Sequence, residues 1–360
     1  MKNYLKKCKV KALNITSEEI SDEQYFKIPS TSVSKLKLLD PECGGSPEKY
    51  KEGFQSGGYN ESLLLGTCVH ANILQPEEFE ISDYENKPSG KLGYFIELVA
   101  KYRKQGKSIK ESLEIASDKA DYYKNKLTKI IFKKAFIKGW DYYNKLMHDY
   151  FKSDKITYVL SKNLLEKYRL CVKSINANST IKKMLAPNIF EEKQFLNEIA
   201  FFSDIEVQLP DKQKIIIKFK AKLDSVIIDP ETKTIYLNDV KTTSKGVDYF
   251  MDAEITDDYG NSKIYMGTYT KLDYYVQMSA YMFLLQLYCR EVLKLYDYNY
   301  KCNMWVVETT NQYKCKNFPI AQRYCELGRD KFRELLIRLA FHELNGYDKK
   351  FEDGIQYEKN

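Results

Sequence analysis

Apolar and polar residues alternate along several runs in the second half of the chain, the pattern of strands with one buried face. In the run 214–228, Lys218, Lys220, Lys222 and Asp224 share one face, and the opposite face is apolar from position 217 to 223. Further strand-like runs cover 199–209, 234–240 and 303–308, and helical periodicity covers 272–295 and 321–344. The order strand, strand, strand, helix, strand predicts a mixed α/β sheet flanked by helices.

The first half of the chain has helical rather than strand periodicity. Apolar residues recur at helical spacing in 92–102, 109–127, 130–150 and 164–178. A largely helical N-terminal half is therefore predicted. We divide the chain into an N-terminal segment (1–83), a helical region or insertion (84–190), an α/β core (191–345) and a polar tail (346–360) that is expected to fray.

The overall composition is that of a soluble globular protein. The chain has 360 residues, of which 43% are hydrophobic and 30% charged. No apolar stretch approaches the roughly 20 residues that span a bilayer. The first residues, which include Lys2, Lys6 and Lys7, lack the apolar region of a signal peptide. We expect a cytoplasmic location and no membrane partner.

The net charge is +7, and most of the basic residues are lysines. This excess suits a polyanionic partner, and a row of lysines on one strand face suits a phosphate backbone. A lysine-rich genome would give the same composition, however, and a solvated strand face would carry the same row. The 30 tyrosines fit the same bias, although their rings can stack on bases. Composition alone leaves the partner open.

Cysteines offer a second possible source of chemistry. The eight of them, at positions 8, 43, 68, 171, 289, 302, 315 and 325, include no CxxC pair. The last three are spaced too widely for the usual zinc or iron–sulfur loops. We expect reduced, mostly buried thiols and no iron–sulfur cluster.

Two aspartates and a lysine are predicted to converge where two strands end. A hairpin turning near residues 229–231 brings Asp224 beside Asp239 and Lys241, which share one face while Val240 points to the other. The two carboxylates and the backbone carbonyl of Val240 are the hard oxygen ligands that Mg²⁺ prefers. A bound metal would activate a water against a phosphodiester, and Lys241 would orient that water or stabilise negative charge on the phosphate.

This acidic cluster has a simpler interpretation. An Asp-x-Lys triplet at a strand end is usually a solvated edge with a surface ion pair, which contributes less than about 1 kcal/mol. The hydrophobic strand before the triplet and the lysine row that runs into Asp224 favour the metal site. Glu198, just before the first core strand, is a further candidate ligand or base.

The spacing of Asp224 and Asp239-Val240-Lys241 resembles the PD-(D/E)XK nuclease superfamily. Gln277 and Tyr281 lie four residues apart on one helix face, and an isolated pair of this kind is often incidental. After the Asp-x-Lys triplet, the pair resembles the QxxxY motif of the RecB-like branch. In that branch, the helix lies beside the metal centre and helps to position catalytic groups and DNA.

A histidine segment in the N-terminal part carries a closer resemblance. A lone histidine on an apolar helix, such as His70, is more often a packed core residue than a ligand. The pattern GTxxH followed by LxPExF at residues 66–79 nevertheless looks like the exodeoxyribonuclease VIII (RecE) type of phage recombination exonuclease. In that family the histidine joins the two aspartates at the metal. The segments 32–36 and 46–50 also resemble the family.

The resemblance covers residues 29–80 and 198–340 and implies a restriction-endonuclease-like core. It implies a Mg²⁺-dependent deoxyribonuclease, a 5′→3′ exonuclease on double-stranded DNA ends that leaves 3′ single strands for phage-type recombination. Mn²⁺ would substitute, since imidazole suits it. The implied roles are metal binding for His70, Asp224 and Asp239, assistance to the water for Lys241, and positioning for Gln277. Tyr281 and the strand lysines Lys218, Lys220 and Lys222 would face the DNA.

The resemblance also suggests partners and leaves alternatives open. Relatives act as rings threaded by DNA, so a homo-oligomer is expected, and a single-strand annealing protein is a candidate partner. The same metal centre would serve a structure-specific endonuclease. A DNA-binding or assembly protein that has lost catalysis is a third interpretation, although such a protein has no chemical reason to keep the whole residue set. One departure is Ala221, which stands where glycine is common.

Overall fold

A computed structural model describes residues 2–53, 60–84, 87–88, 90–122, 129–152, 155–256 and 262–351. The helices are α1 (Lys2–Lys7), α2 (Asp22–Lys27), α3 (Val33–Lys37), α4 (Pro47–Glu52), α5 (Glu61–Leu74), α6 (Gly90–Lys104), α7 (Ile109–Lys119), α8 (Lys129–Lys152), α9 (Lys162–Ala177), α10 (Ser179–Leu185), α11 (Thr268–Lys271), α12 (Tyr274–Glu291) and α13 (Gln322–Asn345). The strands are β1 (Lys9–Ala12), β2 (Thr16–Glu18), β3 (Phe79–Asp83), β4 (Ile156–Leu160), β5 (Gln194–Gln208), β6 (Lys214–Asp229), β7 (Thr234–Thr243), β8 (Ala253–Thr256), β9 (Ser262–Tyr265), β10 (Asn299–Glu308) and β11 (Cys315–Pro319).

The main sheet has the strand order β1-β5-β6-β7-β10-β11, and β2 also pairs with β5. Strands β5, β6 and β7 form an antiparallel meander, whereas β10 lies parallel to β7. A parallel neighbour requires a crossover connection, and this crossover includes α12. At the β6–β7 turn, the Asp229 side chain accepts a hydrogen bond from the Thr232 backbone N–H at 3.2 Å. The predicted mixed α/β class is confirmed, with its strand, strand, strand, helix, strand order.

One face of the sheet is covered by α12 and α13. The apolar residues of β6 predicted to share a face, from position 217 to 223, are all buried there. The ring of Phe219 packs 5.2 Å from that of Phe332 on α13. The two helices approach closely at Gly328, where a Cβ would lie 2.1 Å from the carbonyl oxygen of Tyr275. Only glycine allows this approach, which fixes α12 against the sheet.

The other face of the sheet is covered by α5 and α9. Val240, Trp305 and Ile227 are fully buried in a second hydrophobic cluster with apolar residues of these two helices. As the alternation on β7 predicts, Val240 points into this cluster and not to the side of its neighbours. Strands β6 and β7 are therefore packed between two hydrophobic layers.

The helices α6, α7 and α8 form a compact unit with a small core of its own. Phe95, Ile96, Tyr142 and Leu146 are buried in this core, which also contacts Val159 of β4. The helical character predicted from periodicity is found in the described residues. The predicted end of one helix at residue 127 lies outside them.

The C-terminal tail does not fray immediately after α13. Phe351 is 2% exposed, and its ring contacts those of Tyr4 and Phe341 edge to face. The expected fraying from residue 346 is therefore wrong as far as Phe351, because this aromatic side chain folds back onto the core. Residues 352–360 lie outside the described part.

Two further sequence expectations concern the cysteines and the membrane. The eight cysteines are free thiols, and five are buried: Cys8, Cys68, Cys171, Cys289 and Cys302. Among the helices that the structure describes, none is both long and apolar enough to cross a membrane.

Candidate metal centre

The β6–β7 ladder opens next to Asp224. Its last pair is Ser225 with Asn238, so Asp224 and Asp239 would form the next pair but do not. Instead, the backbone N–H of Val240 donates a hydrogen bond of 2.8 Å to Oδ2 of Asp224. The Asp224 carboxylate thus accepts the hydrogen bond that a strand carbonyl would normally accept. This bond to the β7 backbone fixes the orientation of the carboxylate.

Strand β5 is distorted directly opposite this opening. The β5–β6 ladder pairs Asn197 with Ser225 and skips the next position, where Glu198 would face Asp224. Glu198 has a φ of 53°, in the left-handed region that residues with a side chain seldom adopt. Such strain persists only where the surrounding structure enforces it, and it is concentrated at functional sites. The distortion sets the Glu198 carboxylate beside that of Asp224.

Helix α5 brings a histidine to the same point. The helix packs closely on β7, since a Cβ at Gly66 would lie 3.0 Å from Oγ1 of Thr242. One turn later, Nδ1 of His70 lies 3.7 Å from Oδ2 of Asp224. Ligand atoms of His70, Glu198 and Asp224 all lie within 4.8 Å of one another. One nitrogen and two carboxylate oxygens at this spacing could hold a metal ion.

The lysine and the second aspartate lie beside this group. Nζ of Lys241 donates to the Val240 carbonyl at 3.2 Å and lies 4.0 Å from Oδ2 of Asp224. Asp239 is 1% exposed, and its Oδ2 pairs with the Lys241 ammonium. Its Oδ1 accepts a hydrogen bond of 2.8 Å from Nε2 of Gln277. In this arrangement Asp239 holds the lysine, and Gln277 holds Asp239.

Burial makes the carboxyl groups of the cluster weak acids. Desolvation and then the neighbouring Asp224 raise the pKa of Glu198 to about 7 and that of Asp239 to about 6. The pKa of Asp224 is raised as well, chiefly by burial. A divalent cation bound among these oxygens would favour their ionised forms and so lower these pKa values.

The pKa values of the two basic groups in the cluster shift in opposite directions. Burial disfavours the charged form of Lys241, but Asp239 and Asp224 outweigh this effect and raise its pKa above the ordinary lysine value. Burial, followed by the nearby Lys241, lowers the pKa of His70 to about 4. Near pH 7 the lysine is therefore charged, and the histidine is neutral, the form that binds metals.

The three lysines predicted to face DNA have different surroundings. Nζ of Lys222 lies 2.8 Å from Glu198 and 2.6 Å from Asp22. Lys220 is 6% exposed, and its ammonium donates to two backbone carbonyls at the end of α2 at 2.6 and 2.7 Å. Lys218 is exposed on the same face. Two of these lysines therefore hold α2 against β6, and Lys222 also holds Glu198.

The cluster opens into a cavity of about 840 Å³. Its walls include Tyr281, the second residue of the helical motif, and the predicted ligands His70, Glu198 and Asp224. Phe26, which is 75% exposed, also lines the cavity. The space is large enough for a nucleotide-sized group to reach the cluster.

Sequence reasoning did not identify two residues of this site. The ring of Tyr274 lies 5.5 Å from Nζ of Lys241, close enough for a cation–π contact. Tyr274 precedes Gln277 by three residues, so helical spacing could have placed both on one face. Asp22, the partner of Lys222, gave no local signal because the pair is 200 positions apart in the chain.

Comparisons with known proteins add little to this geometry. Neither protein-family models nor curated proteins match the chain. A crystal structure of a putative exonuclease from Eubacterium rectale aligns with 91% of this chain and 88% of its own, at 10% sequence identity and a TM-score of 0.46.

Proposed function

We propose that this protein is a metal-dependent nuclease. The observation that carries the proposal is the convergence of His70, Glu198 and Asp224 within 4.8 Å of one another, with the half-buried ammonium of Lys241 4.0 Å from Asp224. Phosphodiester hydrolysis needs a hard cation, a positioned water and a positive group near the phosphoryl oxygens. The cluster supplies the ligands and the positive group at the wall of one cavity.

The donor set fits Mg²⁺ or Mn²⁺. The ligands would be the His70 imidazole, the Glu198 and Asp224 carboxylates and the Val240 carbonyl, and the single nitrogen makes Mn²⁺ a suitable substitute. When bound, the cation would lower the pKa of a coordinated water and polarise the phosphoryl group. Burial raises the pKa values of Glu198 and Asp224, and a bound cation would supply positive charge that favours their ionised forms.

The protein groups around the ligands have separate tasks. Lys241 remains protonated and can donate to the attacking water or to a phosphoryl oxygen. Asp239 keeps the ammonium in place, and Gln277 fixes Asp239 through a 2.8 Å hydrogen bond. The backbone N–H of Val240 orients Asp224. Lys241 and Asp224 are therefore each positioned by a second group on β7.

The finer proposal is a 5′→3′ exonuclease that acts on double-stranded DNA ends and leaves 3′ single strands. Its support is the order of motifs along the chain, in which a histidine segment, Asp224, Asp239-x-Lys241 and Gln277-x-x-x-Tyr281 resemble the RecE type of recombination exonuclease. Under this proposal the protein acts as a homo-oligomeric ring and passes its product to a single-strand annealing protein.

The activity is tested with linear duplex DNA labelled separately at the 5′ and 3′ ends, in Mg²⁺. Early release of 5′-labelled mononucleotides is expected, with no release in EDTA or with the variant Lys241→Ala. Earlier release of label from the 3′ ends would reject the 5′→3′ polarity but would still support a nuclease. Cleavage of circular DNA without free ends would show an endonuclease instead. If linear and circular DNA both stay intact, the nuclease proposal is wrong.

A further inference from the structure

An exposed aromatic side chain in the cavity wall takes no part in the chemistry proposed above. Phe26, near the end of α2, is 75% exposed and lines the cavity that contains the metal centre. Single exposed apolar side chains are common on protein surfaces and need no explanation. Phe26 differs from them because it belongs to the wall of the cavity that would receive the substrate.

The backbone on both sides of Phe26 is anchored to β6. The ammonium of Lys220 donates to the carbonyls of Tyr25 and Ile28 at 2.6 and 2.7 Å, and it lies 4.5 Å from the centre of the Tyr25 ring. Tyr25 is buried, and its ring contacts that of Phe26 edge to face at a centroid distance of 5.5 Å. These contacts hold the exposed ring at a defined position on the wall.

A short series of contacts links Phe26 to the metal centre. Asp22 precedes Phe26 by one helical turn on the same face of α2, and its carboxylate lies 2.6 Å from Nζ of Lys222. The same Nζ lies 2.8 Å from Oε2 of Glu198, a candidate metal ligand. Two ion pairs and one helical turn therefore separate the ring from the metal centre. The cavity of about 840 Å³ has room for a nucleotide that reaches both places.

The wall at Phe26 suits a flat apolar ring better than a phosphate. Leu63 of α5, which is 67% exposed, also lines the cavity. The cations beneath α2 already have partners, because Lys220 is buried against two backbone carbonyls and Lys222 pairs with two carboxylates. A nucleobase, in contrast, presents a π face that stacks on aromatic side chains.

We propose that Phe26 stacks on the base of the nucleotide whose phosphate lies at the metal centre. The proposal rests on the nuclease function and adds a base-binding position to it. Every base has a π face, so this stack adds affinity without sequence preference. It requires a base with one free face, as at the end of a strand.

The test combines protein variants with removal of single bases. Affinity is measured in Mg²⁺ for a linear duplex with cleavage-resistant phosphorothioate linkages, and for duplexes with one abasic nucleotide at successive positions from each end. Phe26→Ala should bind the intact duplex about 5- to 150-fold more weakly, the effect of losing one base–aromatic stack. Phe26→Tyr should bind like the parent. The control Phe190→Ala, at a site that is 84% exposed and outside the cavity wall, should also bind like the parent.

The abasic duplexes distinguish a stack from a general loss of binding. At one position, loss of the base should weaken binding to the parent by a similar factor but leave binding to Phe26→Ala unchanged. The slope of log affinity against log salt should be the same for both proteins, because no phosphate contact is removed. Equal abasic effects in the two proteins at every position, or a loss that Phe26→Tyr does not restore, would overturn the proposal.

Degradation of ordinary duplex by the parent separates this proposal from the nuclease function. If the parent degrades the duplex but Phe26→Ala binds the intact duplex normally, the nuclease stands and the stack is rejected. If the abasic effect depends on Phe26 but the parent degrades no DNA, the base-binding position stands and the nuclease is rejected. A parent that neither binds nor degrades DNA would overturn both.

Discussion

The side-chain amide of Gln277 donates a hydrogen bond of 2.8 Å to Oδ1 of Asp239, whose Oδ2 pairs with the ammonium of Lys241. Removing the amide would free the carboxylate that holds the lysine. We expect Gln277→Leu to lower kcat on linear duplex about 10- to 100-fold, the usual effect of losing such a supporting group, with little change in KM. Initial rates over a range of DNA concentrations measure both constants.

The matched control for this prediction is Gln286→Leu, because Gln286 is exposed on the same helix. It should keep the parent kcat. If Gln277→Leu raised KM and left kcat intact, Gln277 would contact DNA rather than position Asp239.

Lys222 lies 2.8 Å from Glu198, so we expect it to position this ligand rather than to bind DNA. The variant Lys222→Met should require more Mg²⁺ for half-maximal activity, because the Glu198 carboxylate loses its charged partner. Lys222→Arg should restore much of the Mg²⁺ affinity. A DNA contact would instead leave the Mg²⁺ requirement unchanged and weaken DNA binding in a salt-dependent way, which would contradict the positioning role.

The metal-free protein should reveal the raised pKa of Glu198, about 7. A carboxyl group with a raised pKa stabilises the fold below its unfolded pKa, and this contribution is lost as the pH rises through about 7. The free energy of unfolding of Glu198→Gln should therefore rise by about 2–3 kcal/mol relative to that of the parent as the pH is raised from 5 to 8. Urea unfolding in EDTA at the two pH values measures the difference. Parallel stability curves for the two proteins would argue against a buried, protonated Glu198.

The close crossing of α12 and α13 should not tolerate a side chain at Gly328. A Cβ there would lie 2.1 Å from the backbone oxygen of Tyr275, and the helices would have to separate. We expect Gly328→Ala to reduce the free energy of unfolding by about 1–3 kcal/mol in urea unfolding. Leu327→Ala, at a neighbouring position that is 58% exposed, should change it by less than about 0.5 kcal/mol. Equal stability of the two variants would refute the crossing geometry.

The sequence predicts the sheet and the converging residues well because both depend on local periodicity. Alternation on β6 and β7 places Asp224, Asp239 and Lys241 on strands that a hairpin joins, and helical spacing places Gln277 and Tyr281 on one face. These relationships involve neighbours in the chain or in one ladder. The structure keeps these relationships because the buried faces of the strands fix the register of strand pairing.

The features that the sequence does not predict depend on a distorted backbone and on contacts between residues far apart in the chain. The left-handed backbone of Glu198 interrupts the alternation on β5, which no periodic pattern predicts. The pairing of Lys222 with Asp22 joins positions 200 residues apart, so the alternation on β6 gave no sign of it. The tail likewise appeared polar, although the single Phe351 anchors its first residues.

Calorimetric titration of the metal-free protein with Mn²⁺ tests the central claim most directly. His70, Glu198 and Asp224 should bind Mn²⁺ near neutral pH with release of protons, because the pKa of Glu198 is raised to about 7 and a bound cation favours its ionised form. Asp224→Asn should abolish this binding, whereas Asp204→Asn should preserve it, because the half-buried Asp204 carboxylate on β5 accepts a hydrogen bond from the Asn14 amide at 2.9 Å and is not part of the cluster. Binding that is unchanged in Asp224→Asn, or absent from the parent, would contradict the assignment of this cluster as a metal centre.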